Sequence, residues 1–162
     1  MADSATIPGA ARSALLGFLT GSRTMTPLAT MGAMRDRPSL GGAWTGWPVL
    51  RSPAARALLV LAAAGELVAD KLPATPSRTQ PGALLGRLTV GAVVGGALGT
   101  VPGGVGAPVG AVLGAAGALA GSFAGRWVRT GGTATGLPDL VFALVEDAAT
   151  VLSTVAVVAA SS

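Results

Sequence analysis

The chain contains no cysteine and no histidine, and Lys71 is its only lysine. Without cysteine the protein has neither disulfides nor a thiolate nucleophile, and without histidine it lacks the commonest general base and metal ligand. These absences exclude zinc and haem sites of the usual kinds, and they leave the serine and threonine hydroxyls without an activating base. We therefore expect that the protein is not an enzyme and that it uses no cofactor.

Charged residues are also scarce, at 11% of the chain against about 25% in a typical soluble domain. Hydrophobic residues make up 51%, and the mean hydropathy is +0.65, which together indicate a membrane protein. The net charge is +4, but the arginines flank apolar segments and aromatic residues are only 4%, a composition that does not favour nucleic-acid binding. The expected partner is a lipid bilayer, with no nucleic acid.

The apolar residues gather in five long segments that are separated by glycine, proline and charged residues. Most of these segments are long enough for a helix to cross a hydrocarbon core of about 30 Å. We predict an all-α, polytopic helical membrane protein that forms a single transmembrane domain over residues 1–162. The segments lie at 10–34, 53–70, 81–99, 108–128 and 137–160.

The first segment is interrupted by the sequence GSRTMTP at residues 21–27. Glycine loosens a helix, and Pro27 has no N–H with which to continue the helical hydrogen bonds. Arg23 lies inside the interruption and is costly to place against lipid. The interruption predicts either a broken helix or a re-entrant hairpin, at which freed backbone groups and the Thr24 hydroxyl could bind an ion.

Glycines recur every four residues in the third and fourth segments. On a helix this spacing gives a smooth strip along which another backbone can approach closely, so we expect tight helix packing there. The alternative is that the glycines line a narrow pore. The three sets are Gly91, Gly95 and Gly99; Gly106, Gly110 and Gly114; and Gly117, Gly121 and Gly125.

An internal repeat is suggested by the sequence ALLGFLT at residues 14–20, which matches ALLGRLT at 83–89 at all but one position. Each block leads to a helix that carries Glu and Asp. Two related halves would cover residues 10–72 and 79–155, although chance matching in a chain rich in Ala, Leu and Gly is the alternative. With three elements each, the halves would have inverted topology, as in many transporters.

Four acidic residues lie inside apolar segments, two in the second and two in the fifth. A charged side chain at the centre of a bilayer costs about 2.5–3.5 kcal/mol. At 3.6 residues per turn, Glu66 and Asp70 share one face with Arg56, and Glu146 shares one with Thr150. The acids are Glu66, Asp70, Glu146 and Asp147, and their candidate charge partners are Arg23, Arg87 and Arg126.

These polar faces have two interpretations. They form either buried ion pairs that fix how the helices dock, or a hydrated pathway for a cation, a proton or a small polar solute. Asp70 has a further alternative, a place at the membrane surface. The pathway interpretation involves Arg23, Thr24, Glu66, Asp70, Glu146, Asp147 and Thr150, with Arg87 and Arg126 as charge partners.

Three short motifs resemble those of a known family: residues 21–27, the sequence GELVADKLP at 65–73, and PSRT at 76–79. Over about residues 11–155, the chain is similar to the small bacterial membrane proteins grouped as the domain-of-unknown-function family four-one-two-six. The resemblance implies a multi-pass protein of the bacterial cytoplasmic membrane, and it implies no particular activity. The motif positions include Arg23, Glu66, Asp70, Lys71 and Arg78.

The sequence gives a leading functional hypothesis, a small transporter or channel whose site is lined by buried carboxylates. The second hypothesis is a non-catalytic membrane scaffold or assembly protein whose buried charges only fix helix packing. A third is a membrane module that binds lipid or pigment in an apolar cavity. The glycine strips also suggest a homodimer.

Overall fold

A computed structural model gives the fold over residues 7–37, 41–69, 80–132 and 139–160, with side chains described throughout these ranges except at 126 and 128–143. Within these residues all regular structure is helical, so the predicted all-α class is confirmed. The helices are α1 (Gly9–Ser22), α2 (Met25–Met34), α3 (Pro48–Arg51), α4 (Pro53–Ala69), α5 (Pro81–Gly99), α6 (Ala107–Gly132) and α7 (Asp139–Ala159), and a short 3-10 turn, Ala43–Gly46, precedes α3.

Proline sets several helix boundaries, because a missing N–H costs nothing at the first position of a helix. Pro48, Pro53 and Pro81 each open a helix in this way. The predicted interruption of the first segment is present, but only Arg23 and Thr24 separate α1 from α2. Pro27 is the third residue of α2, inside the first turn, where its N–H would have no helical acceptor.

The helices α1 and α2 form a hairpin whose two outer ends lie together. At the start of α1, Gly9 packs against the backbone of Gly103. Beyond the end of α2, the Ala43 N–H donates to the Thr100 hydroxyl at 3.1 Å. Both contacts are with the loop that joins α5 to α6, so the chain reverses at Arg23. The hairpin tip lies about 21 Å from this loop, the length of a 14-residue helix.

Helices α1, α5 and α6 pack backbone to backbone through glycines. A Cβ on Gly91 of α5 would lie 2.7 Å from the carbonyl oxygen of Gly114 on α6, and one on Gly17 of α1 would overlap the same glycine. Gly121 of α6 lies in the same way against the backbone of Phe18. Because no side chain separates these backbones, the three helices approach as closely as their main chains allow.

The helices α4 and α7 pack on the hairpin. α4 packs mainly on α2, and Gly32 of α2 lies beside the Arg56 and Leu59 side chains of α4. α7 packs on both α1 and α2. An apolar core fills the space between the hairpin, α5 and α7, and it includes Leu16, Met31, Trp44, Val94, Leu98 and Val158.

Two of the described helices are long and apolar enough to cross a membrane, α5 over Pro81–Gly99 and α6 over Ala107–Gly125. Large apolar side chains remain exposed on both, such as Leu85 on α5 and Val112 on α6. These two helices are weak support for a membrane location. The predicted five membrane segments and the two inverted halves stay predictions.

Candidate functional site

The candidate site lies at the tip of the α1–α2 hairpin. Gly21 and Ser22 are weaker helix formers than Ala or Leu, and α1 ends after them. Arg23 then adopts an extended conformation, with φ −140° and ψ 106°, while its N–H still donates to the Leu19 carbonyl at 2.8 Å. The Arg23 side chain is fully buried, so its charge needs partners from other helices.

Asp147 on α7 is the charge partner of Arg23. Arg23 Nη2 donates to Asp147 Oδ1, and the two side chains are 1% and 10% exposed. Arg23 Nη1 also donates to the backbone carbonyl of Glu66 on α4, at 3.4 Å. The hairpin tip is thereby tied to two helices that follow it much later in the chain.

The Glu66 carboxylate caps the N-terminus of α2. Its Oε1 accepts a hydrogen bond from the Thr24 N–H at 2.7 Å, and its Oε2 accepts one from the Met25 N–H at 2.8 Å. The first amides of a helix lack helical acceptors and carry the positive end of the helix dipole, so a carboxylate is stabilising there. Thr24 takes part through its backbone N–H, whereas the sequence suggested its hydroxyl.

Arg87 on α5 brings a second guanidinium to the tip. Its Nη2 lies 3.8 Å from Glu66 Oε1, and its Nη1 donates to the Gly21 carbonyl at 2.8 Å. Gly21 lies in the last turn of α1, where carbonyls lack helical donors and a cation is favourable. Arg87 therefore stabilises the end of α1, much as Glu66 stabilises the start of α2.

The four charged side chains at this position, Arg23, Glu66, Arg87 and Asp147, form what we name the tip cluster. Their formal charges cancel, and no side chain among them is more than 14% exposed. Burying an ion costs several kcal/mol unless it is paired and hydrogen-bonded, and each member of the cluster has at least one such partner. The sequence named all four as site residues or charge partners, and the structure brings them together.

Of the predicted site residues not yet placed, Glu146 and Thr150 have side chains that the structure describes. Glu146 is half-buried and precedes Asp147 on α7. Thr150 is buried one turn later, and its hydroxyl donates to the Glu146 carbonyl at 2.9 Å, so it bonds its own helix. Asp70, Lys71 and Arg78 lie outside the described residues, as does the side chain of Arg126 on α6.

Two buried hydroxyls also tie the helices together, and sequence reasoning missed both. Ser13 Oγ on α1 donates to the Gly95 carbonyl on α5 at 3.0 Å. Ser122 Oγ on α6 donates to its own helix at Ala118, at 2.8 Å, and lies 3.4 Å from the Gly21 carbonyl. Small polar residues on close-packed helices can reach a neighbouring backbone, and the position of Ser122 beside Gly121 was the available signal.

The tip cluster holds helices together, and it could present its charges to a solute only after its ion pairs separate. Among the described residues, no group of three or more acidic side chains could hold a metal ion. Comparisons with protein families, curated proteins and solved structures give no match to this chain.

Proposed function

We propose that the protein is a small multi-pass transporter or channel of the bacterial cytoplasmic membrane, which moves a cation, a proton or a small polar solute past the tip cluster. The observation that carries this proposal is a reversed helix pair whose tip meets buried charges from α4, α5 and α7. Non-helical backbone inside a membrane is tolerated where it is buried in protein or lines a cavity, and broken helices often build substrate sites. In this proposal α1 and α2 form a re-entrant hairpin.

The position of Arg87 along α5 supports a location inside the bilayer. Arg87 lies about 9 Å from Pro81 and about 18 Å from Gly99 along the helix axis. If α5 crosses the membrane, the tip cluster lies within the hydrocarbon core, which is about 30 Å thick. Ionisable residues at that depth are costly, and they commonly line a pathway or pair with one another.

The arrangement of the tip cluster fits a closed state in this proposal. Glu66 is held by two amides and by Arg87, and Asp147 is held by Arg23. A passing cation would replace a guanidinium or an amide as the partner of one carboxylate. The close contacts of α1, α5 and α6 oppose movement there, whereas α4 has no fully buried residue and packs mainly on α2. We therefore expect α4, which carries Glu66, to move.

A specific observation also favours the second hypothesis, a scaffold whose charges only fix packing. The formal charges of the tip cluster cancel, and its bonds join helices that are distant in the chain. Such a network can specify one arrangement of helices without any solute. It predicts that loss of a tip carboxylate lowers stability and leaves membrane permeability unchanged. A homodimer is compatible with both hypotheses.

Flux into proteoliposomes tests the proposal. Wild type, Glu66→Gln and Asp147→Asn would be reconstituted at equal density and assayed with sodium, potassium, protons and small polar solutes. Asp36→Asn is the matched control, because Asp36 forms an exposed ion pair with Arg56 at 2.7 Å, away from the tip. We expect flux through wild type and the control, and altered flux in both tip variants.

If vesicles that contain the wild-type protein take up every probe no faster than protein-free vesicles, the transport proposal is contradicted. If the tip variants also unfolded more easily than the control in that case, the scaffold hypothesis would be favoured. Equal flux through wild type and both tip variants would show that the solute does not pass the tip cluster, which contradicts the proposed pathway.

A further inference from the structure

Arg12 on α1 is a third buried arginine, and it differs from the two in the tip cluster. It is only 6% exposed, and its Nε, like those of Arg23 and Arg87, is buried without a hydrogen-bond partner, so the difference lies in its counter-charge. Its Nη2 donates to the Pro102 carbonyl at 3.3 Å. Arg23 and Arg87 each lie beside a carboxylate, whereas Arg12 has none in the part of the chain that the structure describes. A buried guanidinium without a counter-charge is costly, so an anion would be stabilising here.

The Arg12 guanidinium lies near the N-terminus of α1. The first helical hydrogen bond runs from the Arg12 N–H to the Pro8 carbonyl at 3.0 Å, so the amides of residues 9–11 have no helical acceptor. Within the described residues, no side chain caps this helix end and no acid lies in its first turn. By contrast, the amides at the start of α2 donate hydrogen bonds to the Glu66 carboxylate.

The Arg12 side chain and the first residue of α1 both lie beside Gly103. Side chains on a helix lean toward its N-terminus. Arg12 Nη2 lies 3.5 Å from the place that a Cβ on Gly103 would occupy, and Gly103 in turn packs against Gly9, the first residue of α1. The guanidinium charge and the positive end of the α1 dipole therefore favour an anion in the same region.

We propose that Arg12 and the first amides of α1 bind a phosphate group, supplied by a phospholipid headgroup. A guanidinium offers phosphate two parallel hydrogen bonds, and the amides of a helix N-terminus bind phosphate readily. The place also suits a headgroup, because Arg12 contacts the loop that joins α5 and α6, the two helices that could cross a membrane. This site is about 21 Å from the hairpin tip; it rests on the proposed membrane location and not on transport.

Lipid binding to protein that has been delipidated in detergent tests this site. Native mass spectrometry and a thermal-shift titration would be run with phosphatidylglycerol, with inorganic phosphate, and with diacylglycerol, which has the same tails without phosphate. Arg12→Gln is the test variant and Arg37→Gln the control, since Arg37 is exposed. We expect phosphatidylglycerol to bind wild type and the control alike, and Arg12→Gln at least about tenfold more weakly, the effect of losing charge-assisted hydrogen bonds. Diacylglycerol should not bind this site.

The outcomes separate the source of the phosphate from the existence of the site. Inorganic phosphate could bind wild type but not Arg12→Gln, and lipid could fail to displace it. That result would support the phosphate site but overturn the assignment to a lipid headgroup. Equal lipid binding by wild type and Arg12→Gln would overturn the site itself. Wild type that binds neither probe would also overturn it. If Arg12→Gln does not fold, competition between phosphate and lipid on wild type and on Arg12→Lys serves the same purpose.

Discussion

Replacing Asp147 by Asn removes a carboxylate that pairs with the fully buried Arg23 and keeps the shape of the side chain. The Arg23 side chain is 1% exposed and the Asp147 side chain 10%, so bulk water cannot replace the lost carboxylate. The Arg23 bond to the Glu66 carbonyl, at 3.4 Å, is long and offsets little of the loss. Removing one partner of a buried ion pair costs about 3–5 kcal/mol, and we expect Asp147→Asn to lower the free energy of unfolding by that amount.

The assay is unfolding in detergent micelles, titrated with a denaturing detergent and followed by tryptophan fluorescence. Asp36→Asn is again the control: Asp36 is 64% exposed in its pair with Arg56, and such a surface pair contributes less than about 1 kcal/mol. A double variant, Arg23→Met with Asp147→Asn, removes both charges and should recover part of the stability that the single variant loses. If Asp147→Asn is no more destabilising than Asp36→Asn, the reasoning about the buried pair is refuted.

Two other variants test the backbone contacts of the hairpin. Glu66→Gln keeps an acceptor but loses the charge at the start of α2, so we expect faster hydrogen exchange at the amides of Thr24 and Met25 and a stability loss of up to about 2 kcal/mol. Unchanged exchange at these amides would show that the carboxylate does not cap α2. Gly114→Ala forces a Cβ into the α5 backbone at Gly91 and Gly95 and should cost about 1–3 kcal/mol in the same unfolding assay. Its control is Gly86→Ala, where a Cβ meets nothing within 4 Å, and which should be neutral or stabilising by up to about 1 kcal/mol. Equal effects of the two glycine variants would contradict the close approach of the helices.

The positions of the helices could be predicted because each depends on residues that are close in the chain. The apolar run between Pro81 and Gly99 forms α5 with the expected bounds. The break at Arg23 was expected from Gly21 and Pro27, yet Pro27 lies inside α2, because proline is tolerated in the first turn of a helix. Local signals therefore locate a break to within a few residues but do not fix its ends.

The polar face of α4 could also be predicted, but its partner could not. Arg56 and Glu66 fall on one face by helical periodicity, and both meet the α2 side of the structure: Arg56 pairs with Asp36 just after α2, and Glu66 accepts from the amides that open α2. Periodicity gives the direction of a side chain around its own helix axis only. It does not say which helix will lie opposite.

Short stretches of the chain are enough to predict that it forms apolar helices, that the first of them is broken near Arg23, and that the acids within them need partners. The packing of the helices makes the chain reverse at the break, brings Arg23 to Asp147 across 124 positions of sequence, and buries Arg12 with no described carboxylate. The difference is the distance along the chain over which the interactions act. Helices and their breaks arise from interactions between residues up to about four positions apart, whereas an ion pair depends on the whole backbone path between its partners, and here a single extended residue redirects that path.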